Sequence, residues 1–132
     1  MSNAMNDHEG PYVLAIDMGS SSTRAIVFDR LGRQLQETET QLSYDMTTSP
    51  DGEATLDPVE LLDLTSRAID GALAKARELD LGIGLVAVSC FWHSLIGLDG
   101  EGDPATPVLT LGDTRCRSQA NRLRREVDVA AY

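Results

Sequence analysis

Residues 12–29 read Tyr-Val-Leu-Ala-Ile-Asp-Met-Gly-Ser-Ser-Ser-Thr-Arg-Ala-Ile-Val-Phe-Asp. Tyr12 to Ile16 is a nearly continuous apolar run, bounded by Pro11 on one side and Asp17-Met18-Gly19 on the other. A short apolar run with such punctuation reads as a buried strand. Thr23 to Asp29 is a second run, rich in the β-branched and aromatic residues that suit a pleated surface. The polar stretch Gly19 to Ser22 between them is then the tip of a hairpin. Asp29-Arg30-Leu31-Gly32 is a tight turn, in which Gly32 is free to take positive φ. The polar segment Gln34 to Tyr44, with Leu35, Leu42 and several Thr, suits a third, edge-like strand. Three antiparallel strands on short turns make a meander.

Downstream of the meander, Asp45 to Leu56 reads as a loop around Pro50, Asp51 and Gly52. Asp57 then opens the clearest helix, with Pro58 at the first helical position and Glu60 completing a capping box. Leu61, Leu62, Thr65, Ala68, Ile69, Ala72, Leu73 and Ala76 fall on one helical face, and the helix ends between Leu79 and Gly82. Ile83 to Ser89 reads as another buried strand, and Ser94 to Asp99 as one more before the turn Asp99-Gly100-Glu101-Gly102. Val108 to Leu111 reads as a brief strand. Asp113 or Thr114 is placed to cap a last helix, Arg115 to Val127, which carries much of the positive charge. The order βββαβ suits a mixed sheet with helices on its faces. No repeat, low-complexity segment or internal domain boundary is visible.

The chain has 132 residues, enough for one domain with a core, and its 42% hydrophobic content is that of an ordinary soluble protein. Its formal charge of −10 argues against nucleic acid and anionic membrane surfaces as partners. An acidic protein that holds phosphates needs local compensation from Mg²⁺, backbone N–H groups or an Arg. Two cysteines give no disulfide framework, and Cys90, inside an apolar run, is expected as a small core residue. No apolar stretch has the length of a membrane span, and no signal peptide is visible. A cytoplasmic protein is the expectation. Met1 to Ala4 read as a tag-cleavage scar before a native Met5.

Three segments carry chemistry. In Asp17-Met18-Gly19-Ser20-Ser21-Ser22-Thr23-Arg24, Gly19 lets the backbone approach an anion, and successive N–H groups of the turn can form a nest for phosphate oxygens. The hydroxyls of Ser20, Ser21, Ser22 and Thr23 add uncharged donors, and Arg24 can offer a fork of donors to a phosphate. Asp17 would repel a bare phosphate, so its sensible role is to hold Mg²⁺ through water. Together these make a Mg·ATP phosphate site. The same residues read equally as a polar β-turn with a strand-ending Asp. They are not a Walker loop, because strand leads to strand and the Gly-Lys-Ser/Thr ending is absent.

In Ser89-Cys90-Phe91-Trp92-His93-Ser94, Trp92 could stack on the C–H face of a sugar and His93 could bond a hydroxyl or carboxylate. The plainer reading makes Trp92 a core residue and His93 structural. In Leu111-Gly112-Asp113-Thr114-Arg115, Asp113 and Arg115 could bind a polyol, or be an ordinary cap and a surface Arg.

Taken in order, the three segments resemble the N-terminal region of the FGGY carbohydrate kinases. That family opens with a strand, an Asp-x-Gly-(Ser/Thr)-rich turn and a strand ending in Asp, here Leu14 to Asp29. An Asp-Pro-capped helix follows, here Asp57-Pro58. A strand then leads to a Met-His-like pair and an Asp-x-x-Gly turn, here Trp92-His93 through Gly102. A Trp-x-Asp-x-Arg element comes next, here Leu111 to Arg115. The likeness covers about Tyr12 to Val127. The run His93-Ser94-Leu95-Ile96-Gly97-Leu98-Asp99 is most similar to the gluconate kinases, whereas xylulose kinases typically carry His-Gly there. Trp92 replaces the usual Met and Leu111 the usual Trp, both on the sugar side.

The resemblance implies an α/β, ribonuclease H-like (actin-like ATPase) fold, a mixed sheet with helices. Residues 5–132 would be an incomplete first domain of a two-lobed kinase. The cofactors implied are ATP and Mg²⁺, and the substrate a small sugar or sugar acid. Asp17 would serve the metal, Gly19, Ser20, Ser21, Ser22, Thr23 and Arg24 the phosphates, and Trp92, His93, Asp113 and Arg115 the substrate. The family's general base is a later Asp that no residue up to 132 matches, so no residue here is assigned as catalytic. A homodimer is compatible with this reading. Three alternatives stay open: a kinase for another sugar such as xylulose, an actin-like ATPase that uses no sugar, and an inactive paralogue acting as a binding module.

Overall fold

A computed structural model describes residues 9–127, which leaves the tag-like Met1 to Ala4 outside the described residues. In chain order the elements are β1 (Tyr12–Met18), β2 (Ser22–Phe28), β3 (Gln34–Ser43), β4 (Thr47–Thr48), β5 (Ala54–Leu56), α1 (Pro58–Glu78), β6 (Ile83–Cys90), β7 (Val108–Leu109) and α2 (Arg117–Glu126). They form two compact units interleaved in sequence. Among the described residues, the first unit comprises those up to Asp45 together with Val59–Phe91; the second comprises Met46–Pro58 and those from Trp92. No composition shift marks these crossings, so a search for linkers finds one domain where the packing forms two units.

The first unit is a four-stranded sheet in the order β3-β2-β1-β6. β1, β2 and β3 are an antiparallel meander, as their turns dictate, while β6 runs parallel to β1. A parallel neighbour needs a crossover, and α1 supplies it. Leu14, Ala25 and Val27 project from β1 and β2 onto Ala68, Ala72 and Ala76 of α1. The alanines stand four residues apart, one above another on the helix, and their small size lets α1 lie close to the sheet. The Thr65 hydroxyl donates to the Thr23 hydroxyl at 3.1 Å, so the polar atoms within this interface are paired. Leu62, expected on the packed face, is exposed, because it lies one helical step round from Leu61. At the turn between β2 and β3, Asp29 is buried and accepts from the Leu31 and Arg33 amides, both at 2.9 Å, and from Arg33 Nε at 2.7 Å.

At Gly71, α1 lies close against Thr40 of β3. A Cβ there would stand 2.7 Å from Thr40 Oγ1 and 2.8 Å from its Cγ2. The Thr40 hydroxyl is itself held by Lys75 Nζ at 3.1 Å, so it has little freedom to move away. Gly71→Ala would gain about 1 kcal/mol of helix propensity but incur about 1–3 kcal/mol of overpacking. The expected outcome is a net loss of up to about 2 kcal/mol, read as a lower denaturant midpoint, with Gly71→Leu far worse.

Two expectations for this unit fail at β6. The strand forms where expected, but only Ile83 is half-buried and the rest is exposed, with Leu85 at 62%, Val86 at 60% and Val88 at 66%. Cys90 is exposed as well, not a core residue. The reason is positional: among the described residues β6 is the edge of the sheet, with β1 as its neighbour, and α1 packs over β1 and β2. An apolar run reveals that a strand is suited to burial, not that a neighbour is there to cover it.

The second unit is built on a small antiparallel sheet in the order β4-β5-β7. The segment expected as a loop, Asp45 to Leu56, therefore contains two short strands, paired through Thr47, Thr48, Ala54 and Thr55. Ser94 to Asp99 is not a regular strand. It makes isolated bridges, Leu95 to Leu109 and Leu98 to Pro104. Between them the Gly97 amide turns to the Thr106 hydroxyl at 2.8 Å, which interrupts the ladder. The expected turn at Asp99 forms, with its carboxylate accepting from the Glu101 and Asp103 amides at 2.9 Å each. α2 begins at Arg117 rather than Arg115, and its N-cap is Cys116 without a side-chain cap bond. Asp113 does not cap it because its carboxylate is held elsewhere.

Candidate functional site

In the first unit the turn between β1 and β2 brings Asp17, Gly19, Ser20, Ser21, Ser22, Thr23 and Arg24 together. Register places Asp17 directly opposite Arg24 and Met18 opposite Thr23. Arg24 and Asp17 consequently share the sheet face away from α1, with Arg24 Nη2 at 3.1 Å from Asp17 Oδ2. Arg24 Nη1 also lies 3.7 Å from Glu39 Oε1. Arg24 is thus drawn back onto two carboxylates. Thr23 faces the opposite way: it is fully buried and its hydroxyl is engaged with Thr65, so only its backbone belongs to the turn. Ser20 and Ser21 are exposed at the tip, and the Ser22 hydroxyl accepts from Gln41 Nε2 at 2.9 Å. The Gly19 amide donates to the Ser22 carbonyl at 2.9 Å, which closes the turn on itself.

Sequence reasoning missed Tyr44 here. Its hydroxyl donates to the Gly19 and Ser22 carbonyls, the latter at 3.1 Å, while its amide donates to the Ser21 carbonyl at 3.1 Å. Burial, and secondarily the charge of Asp17, push the Tyr44 phenol above its usual range, so it stays a donor. Tyr44 is a buckle beneath the turn, 25 residues from Gly19 in sequence. No local motif signals it. Tyr44→Phe removes bonds worth about 1 kcal/mol. The expected outcome of Tyr44→Phe is a lower denaturant midpoint for the chain.

Asp17 is suited to a water-mediated hold on a hard cation. Its side chain is about half exposed, at 49%, and among the described residues there is no group of three or more His, Cys, Asp or Glu that would enclose a metal. One carboxylate beside hydroxyls fits a Mg²⁺ that keeps most of its shell as water and phosphate oxygens.

In the second unit Trp92 and His93 lie at the start of the segment that follows β6. Trp92 is 78% exposed among the described residues. Its ring meets the His93 ring edge-on, with centroids 6.0 Å apart and an interplanar angle of 83°. His93 has φ +58°, a left-handed conformation that costs a non-glycine residue about 1 kcal/mol or more. A strained residue of this kind points to a fixed side-chain direction.

His93 lines a pocket of about 650 Å³ together with Leu95, Leu109, Thr110, Leu111, Asp113, Arg115, Cys116 and Gln119. This size accommodates a small ligand. Asp113 and Arg115 are locked together: Arg115 Nε lies 3.0 Å and Nη2 2.6 Å from Asp113 Oδ2. The Ala54 amide donates to the same carboxylate at 3.3 Å, tying it to β5. The Arg115 hydrogen bonds hold the Asp113 carboxyl down at about 2, so it is ionised at neutral pH. Glu53, which sequence reasoning also missed, lies 3.3 Å from Arg115 Nη1. Gly52 makes this possible: it has φ +97°, and a Cβ there would run into Thr114 Oγ1 at 2.2 Å. Leu111, standing where the family's usual Trp would be, is on the pocket wall and 70% exposed.

A meander extended by a parallel strand through a helical crossover, with an acidic, glycine- and serine-bearing turn at its first hairpin, is the opening of the ribonuclease H-like, actin-like ATPase fold. Residues 12–132 match the N-terminal domain of the FGGY family of carbohydrate kinases, and the chain belongs to that family. It is 31% identical over 129 residues to a xylulose kinase of Streptomyces rubiginosus, covering 97% of this chain and 25% of that protein. It is 26% identical over 117 residues to a gluconokinase of Bacillus subtilis, covering 89% and 22%. The solved structure of xylulose kinase from Rhodospirillum rubrum matches with a TM-score of 0.82 at 25% identity, over 91% of this chain and 24% of that one. The chain thus spans about a quarter of the length of the curated relatives it matches.

Proposed function

We propose that the full-length protein transfers the γ-phosphate of ATP to a hydroxyl of a sugar or sugar acid, and that this region supplies part of its phosphate and substrate sites. The observation that carries the reading is the pocket lined by His93, Asp113 and Arg115, residues from two separate segments, together with an exposed Trp92. An actin-like ATPase that uses no sugar leaves this pocket without a purpose. Phosphoryl transfer depends mainly on positioning and charge neutralisation. ATP with Mg²⁺ would supply the phosphoryl group and screen its charge. Asp17 would hold the metal's water shell, and the backbone from Gly19 to Thr23 with the Ser20 and Ser21 hydroxyls would hold phosphate oxygens. Arg24 would have to leave Asp17 and Glu39 to meet developing charge. Asp113 would accept from substrate hydroxyls, Arg115 and His93 would orient them, and Trp92 would cover the sugar's C–H face.

The His93-Ser94-Leu95 run favours gluconate as acceptor, while the most similar relatives include kinases for different sugars. The reading places the protein in the cytoplasm, acting on small molecules. A coupled ATP-consumption assay on the full-length protein with gluconate, xylulose, ribulose and glycerol tests it. Sugar-dependent turnover is expected; sugar-independent hydrolysis would favour the actin-like ATPase instead. The 132-residue chain alone is expected to show no turnover, since the family's general base has no counterpart in it.

A further inference from the structure

Arg24, on β2, stands between two carboxylates carried by the strands on either side of it, β1 and β3. Asp17 lies directly opposite it on β1, and on β3 its direct neighbour is Gln41. Glu39, two residues before Gln41, reaches Arg24 from the diagonal, a span that long side chains cover. The two contacts are unequal. Arg24 Nη2 donates a hydrogen bond to Asp17 Oδ2 at 3.1 Å, whereas Arg24 Nη1 and Glu39 Oε1 are 3.7 Å apart, a charge contact without a hydrogen bond. Gln41 competes for neither group, because its amide donates to the Ser22 hydroxyl at 2.9 Å. The backbone at Glu39 is held from two directions. The β2–β3 register shifts between Ala25 and Val27, and the Thr38 hydroxyl fills the gap by accepting from the Val27 amide at 2.9 Å and donating to the Leu35 carbonyl at 2.7 Å. Lys75 of α1 donates to the Glu39 carbonyl. The Glu39 side chain is also the most covered of the three, 27% exposed against 39% for Arg24 and 49% for Asp17.

From this we infer that Glu39 is a positioning residue, a second seat that receives the Arg24 guanidinium when Asp17 gives its charge to a divalent cation. The inference rests on the kinase reading, in which Asp17 serves Mg²⁺, and adds to it a residue that reading does not use. A cation at Asp17 repels the guanidinium beside it. With Glu39 in place, Arg24 exchanges one carboxylate for another and stays beside the turn. Without that charge the guanidinium gives up an ion pair and gains none, so it holds Asp17 against the cation. Glu39 thereby weakens the competition between Arg24 and the metal for one carboxylate. An ion pair that only braced the sheet would have no such link to Asp17.

The test uses the full-length protein, with Mn²⁺ as the probe in place of Mg²⁺ and ADP held below the protein concentration. Free Mn²⁺ is counted by electron paramagnetic resonance during the titration, and sugar-dependent ATP consumption by the parent is measured alongside. Glu39→Gln keeps the shape of the side chain and is expected to weaken Mn²⁺ binding about fivefold, the scale of one partly exposed ion pair. In an Arg24→Gln background the same substitution is expected to change it by less than about twofold, because the effect of Glu39 passes through Arg24. An unchanged affinity in Glu39→Gln overturns the inference. So does an equal loss in both backgrounds, which would mean that Glu39 attracts the cation by its charge alone. In either case sugar-dependent turnover by the parent leaves the kinase reading intact. A parent that neither consumes ATP with any sugar nor takes up Mn²⁺ with ADP removes both. Mn²⁺ uptake without sugar-dependent turnover removes only the sugar reading, and the comparison of the two backgrounds still decides the role of Glu39.

Discussion

Asp17→Asn in the full-length protein is expected to lower ATP-dependent sugar phosphorylation about a thousandfold, the magnitude typical of removing one fixed electrostatic group from a transferring centre. The substitution keeps the shape of the side chain and removes its charge. Its structural cost is small, because the ion pair it breaks with Arg24 is between side chains 39% and 49% exposed, and such pairs contribute about 0–1 kcal/mol. Activity and stability should therefore separate: a folded protein with little turnover. The loss should ease as Mg²⁺ is raised if Asp17 serves the metal. Arg24→Gln offers the contrast, since it frees Asp17 rather than removing it. Turnover of Asp17→Asn within a fewfold of the parent would remove the metal role from this residue.

The second large effect concerns His93. Substitution by Ala is expected to cost about ten- to a hundredfold in kcat/KM for the sugar, from loss of a hydrogen bond at the reacting substrate. Substitution by Gly should cost the same activity yet raise stability by about 1 kcal/mol, because glycine adopts φ +58° without the penalty His93 bears. The opposite signs are the diagnostic. A histidine held only for packing would make both variants less stable, and thermal melts beside the kinetics distinguish the two outcomes.

Much of the first unit was legible because its signals are local. The apolar runs on either side of Gly19 to Ser22 fix the hairpin, and Asp57-Pro58 with the alanine-rich face fixes α1 within a residue or two. The misreadings share a physical origin in long-range partners. β6 has the sequence of a covered strand and the position of an edge. Thr47–Thr48 and Ala54–Leu56 are too short to announce themselves and pair only because β5 meets β7, more than 50 residues later in the chain. Asp113 looked like a helix cap, and its carboxylate instead holds Arg115 and the Ala54 amide. Trp92, His93, Asp113 and Arg115 were readable as polar or aromatic residues at element ends. Tyr44 and Glu53 were not, because each acts on residues tens of positions away: Tyr44 on Gly19, Glu53 on Arg115.

The bare edge of β6 bears on how the chain must be handled. Leu85, Val86 and Val88 lie along a strand whose outer N–H and C=O groups have no neighbouring strand among the described residues. Such an edge is a template for another edge. In solution the 132-residue chain will then report on its own crowding before it reports on any ligand. Titrations of it need a dilution series as their baseline, and a signal that scales with protein rather than with sugar or nucleotide belongs to the strand edge.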